Sequence, residues 1–389
     1  MNEASTLHWL EAGVEHSALW HSENQAHAPK RAMLADDSLS ADTAYKLVCE
    51  GSALLWRGDF QNARQMLQAL TRRIDRPPHR SRKKPAPTAT PAAVFHRHRQ
   101  AQAHRAHLLS MLLIPLNADY SIPLRRAPEV GQACQEAYGP AADSPSVLAL
   151  RELLGVVGAH EWRKKGVLLA TLGERVYPHY GVFSPVRGEY LDLVAQAELP
   201  ATALAFDIGT GTGVIAALLV HRGIAHVVAT DNDARALACA QDNVDRLGLK
   251  RQIKVQSANL FPAGRAGLIV CNPPWIPARP CAVVEQAIYD PDNRMLGGFL
   301  AGLAQHLEPG GEGWLILSDI AEHLQLRSRE QLLGMIAAAG LQVLGRIDIK
   351  PRHAKSSDTS DPLHFARAQE TTSLWRLAIQ PSAPATRPD

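Results

Sequence analysis

Two short runs in this 389-residue chain combine residue types that can do chemistry. The first, Leu204-Ala-Phe-Asp207-Ile-Gly209-Thr210-Gly211-Thr-Gly213, is an apolar stretch ending in a carboxylate and then three glycines at alternate positions. The second, Asn272-Pro273-Pro274-Trp275, closes another apolar run, Leu268 to Cys271. Side-chain-free turns let a ligand lie close to the backbone, and a helix read over Val214 to His221 would aim its first N–H groups at that ligand. A dinucleotide fingerprint needs its third glycine where Val214 stands, and the Gly-Lys-Ser/Thr of a phosphate-binding loop is missing. What remains is Asp-x-Gly-x-Gly-x-Gly, then a second apolar run, Ala225 to Thr230, ending in Asp231. A carboxylate about twenty residues past the glycine turn can accept both hydroxyls of an adenosine ribose.

These residues need strands to carry them. A third run, Ile253 to Gln256, leads to Asn259-Leu260, where a side-chain amide could meet the adenine edge. Each strand then ends in polar or conformationally unusual residues, and an open α/β sheet binds ligands at the carboxyl ends of its strands. The second run has its own chemistry. The lone pair of an amide or exocyclic amine nitrogen is delocalised, so alkylating it requires the N–H groups to be held by acceptors. The Asn272 side-chain oxygen and the Pro273 carbonyl are the candidate acceptors, the prolines fixing φ and with it the carbonyl's direction. Trp275 would stack on the flat acceptor group. A plain Pro-Pro turn ending a buried strand is the competing reading.

On Asp207-x-Gly209-x-Gly211-x-Gly213, Asp231 and Asn272-Pro273-Pro274-Trp275, the chain resembles the class I S-adenosylmethionine-dependent methyltransferases. More narrowly, it is similar to the branch with an Asn/Asp-Pro-Pro-aromatic motif, which methylates planar nitrogens. That branch includes glutamine N5-methyltransferases of release factors and a ribosomal protein, adenine N6 enzymes, and ribosomal-RNA guanine N2 enzymes. Phe183-Ser-Pro185-Val-Arg187-Gly-Glu189 is a partial match to the Pro-Arg-Pro-x-Thr-Glu segment of the glutamine enzymes. The resemblance covers roughly Tyr180 to Ile379. It implies an α/β, Rossmann-like, seven-stranded domain closed by an antiparallel pair, Leu341 to Ile349 and Ser373 to Ile379. It also implies S-adenosylmethionine as cofactor, held by Asp207, Gly209, Thr210, Gly211, Gly213, Asp231, Asn232, Asn259, Leu260 and Asn272, with Asn272, Pro273, Pro274 and Trp275 at the reacting centre and no metal. The acceptor is then macromolecular: a protein amide, best a glutamine of a translation component, or an RNA or DNA base. A small-molecule acceptor and a catalytically silent binding scaffold are the remaining alternatives.

Composition fits this expectation. Apolar residues make up 46% and charged residues 20%, as in globular proteins rather than disordered ones. The longest strongly apolar stretch, Leu108 to Leu116, is far short of the ~20 residues that span a bilayer, so no membrane partner is expected. The start carries Glu3, Glu11 and Glu15 in place of a basic secretion signal, and the five cysteines (49, 134, 239, 271, 281) form no Cys-x-x-Cys pair. A reducing cytoplasm is the expected compartment. Net charge is +3, but residues 71–126 hold +10 of it and the remainder carries −7. That stretch is a candidate for nucleic-acid contact or for a solvated linker.

The domain expectation is a mostly helical N-terminal region over 1–145 with a basic Pro-rich loop at 76–93, a lead-in over 146–180, the methyltransferase domain over 181–380 and an unstructured tail over 381–389. Leu7, Leu10, Val14, Ala44, Leu47, Ala53 to Leu55 and Met66 to Leu70 recur near helical spacing, with Gly58-Asp59 as a break. His104 and His107 could share a helix face, but no cysteine or carboxylate completes a metal set. Glu285, Tyr289 and Asp290, in the long segment after Trp275, are candidates for acceptor recognition, and 350–372 is either a flap or disordered.

Overall fold

The computed structural model describes residues 5–23, 26–76, 89–141, 143–185, 188–280, 283–352 and 358–381. The chain divides into two compact units: Met1–Ala89, His96–Glu161 and Cys281–Val283 form the first, and Thr90–Phe95, Trp162–Pro280 and Val284–Asp389 the second.

The first unit is built on a six-stranded sheet, which corrects the expectation of a mostly helical region. Its strands are β1 (Thr6–Glu11), β2 (Val14–Trp20), β3 (Ala32–Ala35), β4 (Ala53–Trp56), β5 (Leu112–Leu116) and β6 (Ser146–Ala149), in spatial order β1-β2-β6-β5-β4-β3. The spacing of Leu7, Leu10 and Val14 misleads because Ala12-Gly13 takes positive φ at both residues, 50° and 80°. Such a turn fits the twist of a two-residue hairpin, and it pairs Glu11 with Val14. Ala53-Leu54-Leu55-Trp56 is wholly buried, and a four-residue apolar run that short does not reveal its period. The helices expected around it are present at Ala41–Cys49 and Phe60–Ile74, each capped by the side chain before it, Ser40 and Asp59. The boundary expected at 145 is also corrected. Ser146 to Ala149 pairs antiparallel with β5, and the helix that follows runs over Leu150–Lys165.

The second unit carries the expected seven-stranded sheet. After a small hairpin of β7 (Val167–Leu169) and β8 (Glu174–Val176), its strands are β9 (Leu204–Ile208), β10 (His226–Asp231), β11 (Ile253–Ser257), β12 (Ala266–Cys271), β13 (Leu307–Ser318), β14 (Leu341–Ile349) and β15 (Thr372–Ile379). They lie in the order β11-β10-β9-β12-β13-β15-β14. The first five are parallel, and β15 runs against both its neighbours. β12 is buried at every residue, as expected of a central strand covered on both faces. Helices Glu189–Gln196, Val214–His221 and Ala234–Arg246 alternate with the strands, and Arg294–His306 and Arg329–Ala338 complete the unit. The sequence of strands reverses direction across the sheet between β9 and β12. A crevice opens at such a switch point, outside the carboxyl ends.

Of the segment expected as a flap, 358–371 is ordered around a short helix, His364–Arg367, with Leu363 and Ala366 buried. His353 and Lys355, most of the Pro-rich loop (77–88), Arg187, Cys281 and the tail over 382–389 lie outside the described residues.

Candidate functional site

Strand register brings the two chemical runs together. Ile208 of β9 pairs with Cys271 of β12 on one side and with Thr230 of β10 on the other, while Asp231 pairs with Ser257 of β11. The glycine turn, Asp231, the Ala258-to-Leu260 segment and Asn272 therefore stand in one row at the carboxyl edge. Parallel neighbours are about 4.8 Å apart, so Asp231 and Asn272 flank the glycine turn at about 10 Å from each other.

The turn is shaped by carboxylates. Gly209, Gly211 and Gly213 all take the left-handed conformation, at φ 72°, 56° and 80°. A Cβ on Gly209 would lie 2.5 Å from the Met295 methyl, whereas one on Gly211 would meet nothing within 4 Å, so Gly211 borders open space. Of the helix N–H groups expected to face a ligand, that of Ala216 is already engaged, as are amides of the turn before it. Gly209 and Thr210 donate to the Thr230 carbonyl, both at 2.9 Å, Gly211 to Asp231 Oδ2 at 3.1 Å, and Ala216 to Asp207 Oδ2 at 3.1 Å. Thr210 also spends its hydroxyl on Asp207 Oδ2, at 2.6 Å, so it builds the turn and its side chain does not point into the crevice. With these amides occupied and two carboxylates beside them, the turn suits a cation better than a phosphate.

Asp207 is fully buried and its Oδ1 has no hydrogen-bond partner among the described residues. Burial pushes its carboxyl up to about 6, against the hydrogen bonds from Thr210 and Ala216 and with a smaller push from the charge of Asp231. Burial also raises Asp231, opposed by the amides of Asp233, Gly211 and Asn232. Asn232 and Asn259 are exposed on the rim, and the Asn232 amide donates to Asp231. Leu260 adopts a left-handed φ of 71°, its carbonyl accepts from Thr230 Oγ1 at 2.6 Å, and its side chain packs toward Gly298. Of the cofactor residues expected, Gly211 borders open space and Asp231 is half-buried beside it, Asp207 lies fully buried beneath the turn, and Thr210 and Leu260 shape the turn's surroundings.

At the second run, Trp275 Nε1 donates to Asn272 Oδ1 at 2.9 Å. The indole is half-buried and packs against three apolar clusters, and its bond fixes the amide's orientation. One of those clusters joins Phe95, Ile320, Leu324, Leu363 and Ala366 around Trp275, Ile276 and Tyr289. Asp290 is a cap, not a recognition group: its two oxygens accept from the Met295 and Leu296 amides at 3.0 Å each. Tyr289 lies against the Phe95 ring, 6.5 Å between centroids, and Glu285 turns its carbonyl to the amides of Ile288 and Tyr289.

The segment from Tyr177 to Val182 lies along the helix Ala234–Arg246. Asn243, buried there, accepts from the Tyr177 amide and donates to the Thr212 carbonyl, tying the segment to the glycine turn. Glu189 accepts from the Arg352 amide at 2.6 Å, and Ser184 Oγ is buried without a hydrogen-bond partner among the described residues. Met295, Asn243 and Arg327 escaped the sequence reading. Each acts through contacts distant in sequence, which local residue order does not signal. Among the described residues no three His, Cys, Asp or Glu side chains cluster as metal ligands, and no helix is long and apolar enough to cross a membrane.

Residues 175–336 match the family described as methyltransferase small domain. Over 169 residues the chain is 36% identical to a release factor glutamine methyltransferase of Cereibacter sphaeroides, covering 42% of this chain and 57% of that one. Over 190 residues it is 30% identical to a ribosomal protein L11 methyltransferase of Sorangium cellulosum, covering 49% and 53%. A solved ribosomal protein L11 methylase from Lactobacillus delbrueckii subsp. bulgaricus aligns with 49% of this chain and 77% of its own at 18% identity and a TM-score of 0.34. The chain spans about half the length of the curated relatives it matches. Apart from residues 281–283, the matched stretch falls within the second unit.

Proposed function

We propose that this methyltransferase small domain moves a methyl group from S-adenosylmethionine to a planar nitrogen of a macromolecule, the side-chain amide of a protein glutamine being the favoured acceptor. The observation that carries the reading is the register of β9 with β12, which sets the acidic glycine turn beside Asn272-Pro-Pro-Trp275. The buried, unpartnered Asp207 Oδ1 and the open space beside Gly211 fit the donor, which is cationic and needs close backbone approach. Asp231 would take the ribose hydroxyls, and Asn259 on the rim the adenine edge. When bound, S-adenosylmethionine supplies an electrophilic methyl carbon and a neutral thioether leaving group.

The chain's own residues prepare the nitrogen. Asn272 Oδ1 and the Pro273 carbonyl accept its two N–H groups, turning the lone pair toward the donor side and favouring its localisation as the new N–C bond forms. The indole bond fixes Asn272 with one oxygen lone pair already engaged, leaving the other for the acceptor. The proton leaves the nitrogen after transfer, when it has become acidic, so water suffices as base.

Glutamine is favoured by the partial Phe183-to-Glu189 match and by the relatives' names, which point to translation proteins. The case for nucleic acid weakens within the first unit. Four arginines of the basic stretch, Arg73, Arg105, Arg125 and Arg126, are paired with Asp42, Asp75, Asp37 and Asp59. The test is to incubate lysate of a strain lacking this protein with the purified enzyme and methyl-labelled donor. Label that survives nuclease and is lost with protease supports the reading, and label lost with nuclease refutes it.

A further inference from the structure

We infer that Arg327 is a positioning residue for methyl transfer, holding the Trp275 carbonyl and the start of the helix Arg294–His306 in one arrangement. The inference rests on the methyl-transfer reading above. Arg327 lies only 3% exposed. Its Nη1 donates to Asn293 Oδ1 at 2.7 Å and its Nη2 reaches the Trp275 carbonyl at 3.4 Å. Among the described residues its Nε has no hydrogen-bond partner, so the guanidinium is held chiefly by these two oxygens.

Both ends of that span matter to the site. Trp275 closes the acceptor tetrapeptide, and its indole fixes Asn272. Asp292 and Asn293 sit in the left-handed region at φ 57° and 54°, a conformation disfavoured for side-chain-bearing residues that needs outside support. Just beyond them Asp290 caps Met295 and Leu296, and the Met295 methyl rests over Gly209. One buried cation thus links the acceptor grip to the side chain that covers the donor turn. A buried guanidinium without a direct carboxylate partner is costly to keep, which a loop fastening alone, achievable with neutral groups, would not require. Lysine can replace the charge, but it cannot bridge two oxygens in a fixed plane.

The test uses the full chain, labelled with 15N, and follows exchange of the Trp275 indole N–H without donor or acceptor, its signal identified by loss in Trp275→Phe. Arg327→Met should speed that exchange about tenfold, with Arg327→Lys intermediate. With purified bacterial release factor as the acceptor probe, turnover of Arg327→Met should fall about 30- to 100-fold while the dissociation constant for S-adenosylmethionine changes less than about threefold. Asn293→Gly keeps the left-handed backbone and removes one anchor, so it should show the same pattern more weakly and decides the matter should Arg327→Met not fold. Wild-type indole exchange and turnover in the folded variants would overturn the inference, as would a loss confined to donor affinity. Accelerated exchange in a protein that transfers no methyl to any acceptor would uphold the fastening and refute the methyl-transfer reading instead.

Discussion

Two side chains at the crevice separate donor binding from chemistry. If Asn272 grips the acceptor nitrogen as proposed, Asn272→Ala should leave calorimetric binding of S-adenosylmethionine unchanged and cost about 2–4 kcal/mol in transition-state stabilisation. Asp231→Ala should do the reverse, weakening donor binding first. If both variants keep full turnover, the site lies elsewhere. Asp207 adds a pH dependence. Its folded carboxyl sits at about 6 against an ordinary 3.8, so the folded state holds the extra proton between those values. The stability it contributes is complete below its unfolded value and is lost as pH rises through 6. Asp207→Asn cannot titrate, so its unfolding free energy should gain on wild type by about 2 kcal/mol between pH 4 and pH 8 in denaturant titrations without donor. A constant gap would show that folding leaves the carboxyl's titration unchanged.

At the scale of elements, the helix Arg294–His306 has a glycine face that lets the 260–261 segment approach. A Cβ on Gly302 would lie 2.5 Å from the Phe261 ring, which is itself stacked 4.5 Å from His306. Gly302→Ala should therefore lower stability by about 1–3 kcal/mol through overpacking, despite the higher helix propensity of alanine, a difference readable in a thermal melt. A stabilised variant would mean that Phe261 moves aside freely. The elements that carry the site were legible because glycine turns and proline pairs punctuate them. The strands of the first unit were not, since short buried runs such as β4 have no period of their own and acquire a state only from their neighbours.

For the whole molecule, every residue assigned to donor or acceptor belongs to the second unit. Hydrogen exchange with saturating S-adenosylmethionine should slow at 207–216, 229–233 and 257–260, while the amides of β3, β4 and β5 keep their rates. Protection confined to the six-stranded sheet would place the ligand in the wrong unit. The basic stretch reads differently here than in the sequence, because charge counted along a chain takes no account of carboxylates that folding brings alongside. Arg126 and Asp59, 67 residues apart, meet at 2.7 Å.

By itself the sequence determined the glycine turn, the Asn272-to-Trp275 tetrapeptide, the strands that end in them and the seven-stranded class of the second unit, because each is written in adjacent residues. Only the tertiary structure decided that the turn's amides are already taken by the Thr230 carbonyl and Asp231, that Trp275 fastens Asn272, and that Arg327 and Met295 stand behind it. Those arrangements depend on strand register and on helices packing over strand ends. Such distances are set by the burial of side chains far apart in the chain, and local residue order does not encode them.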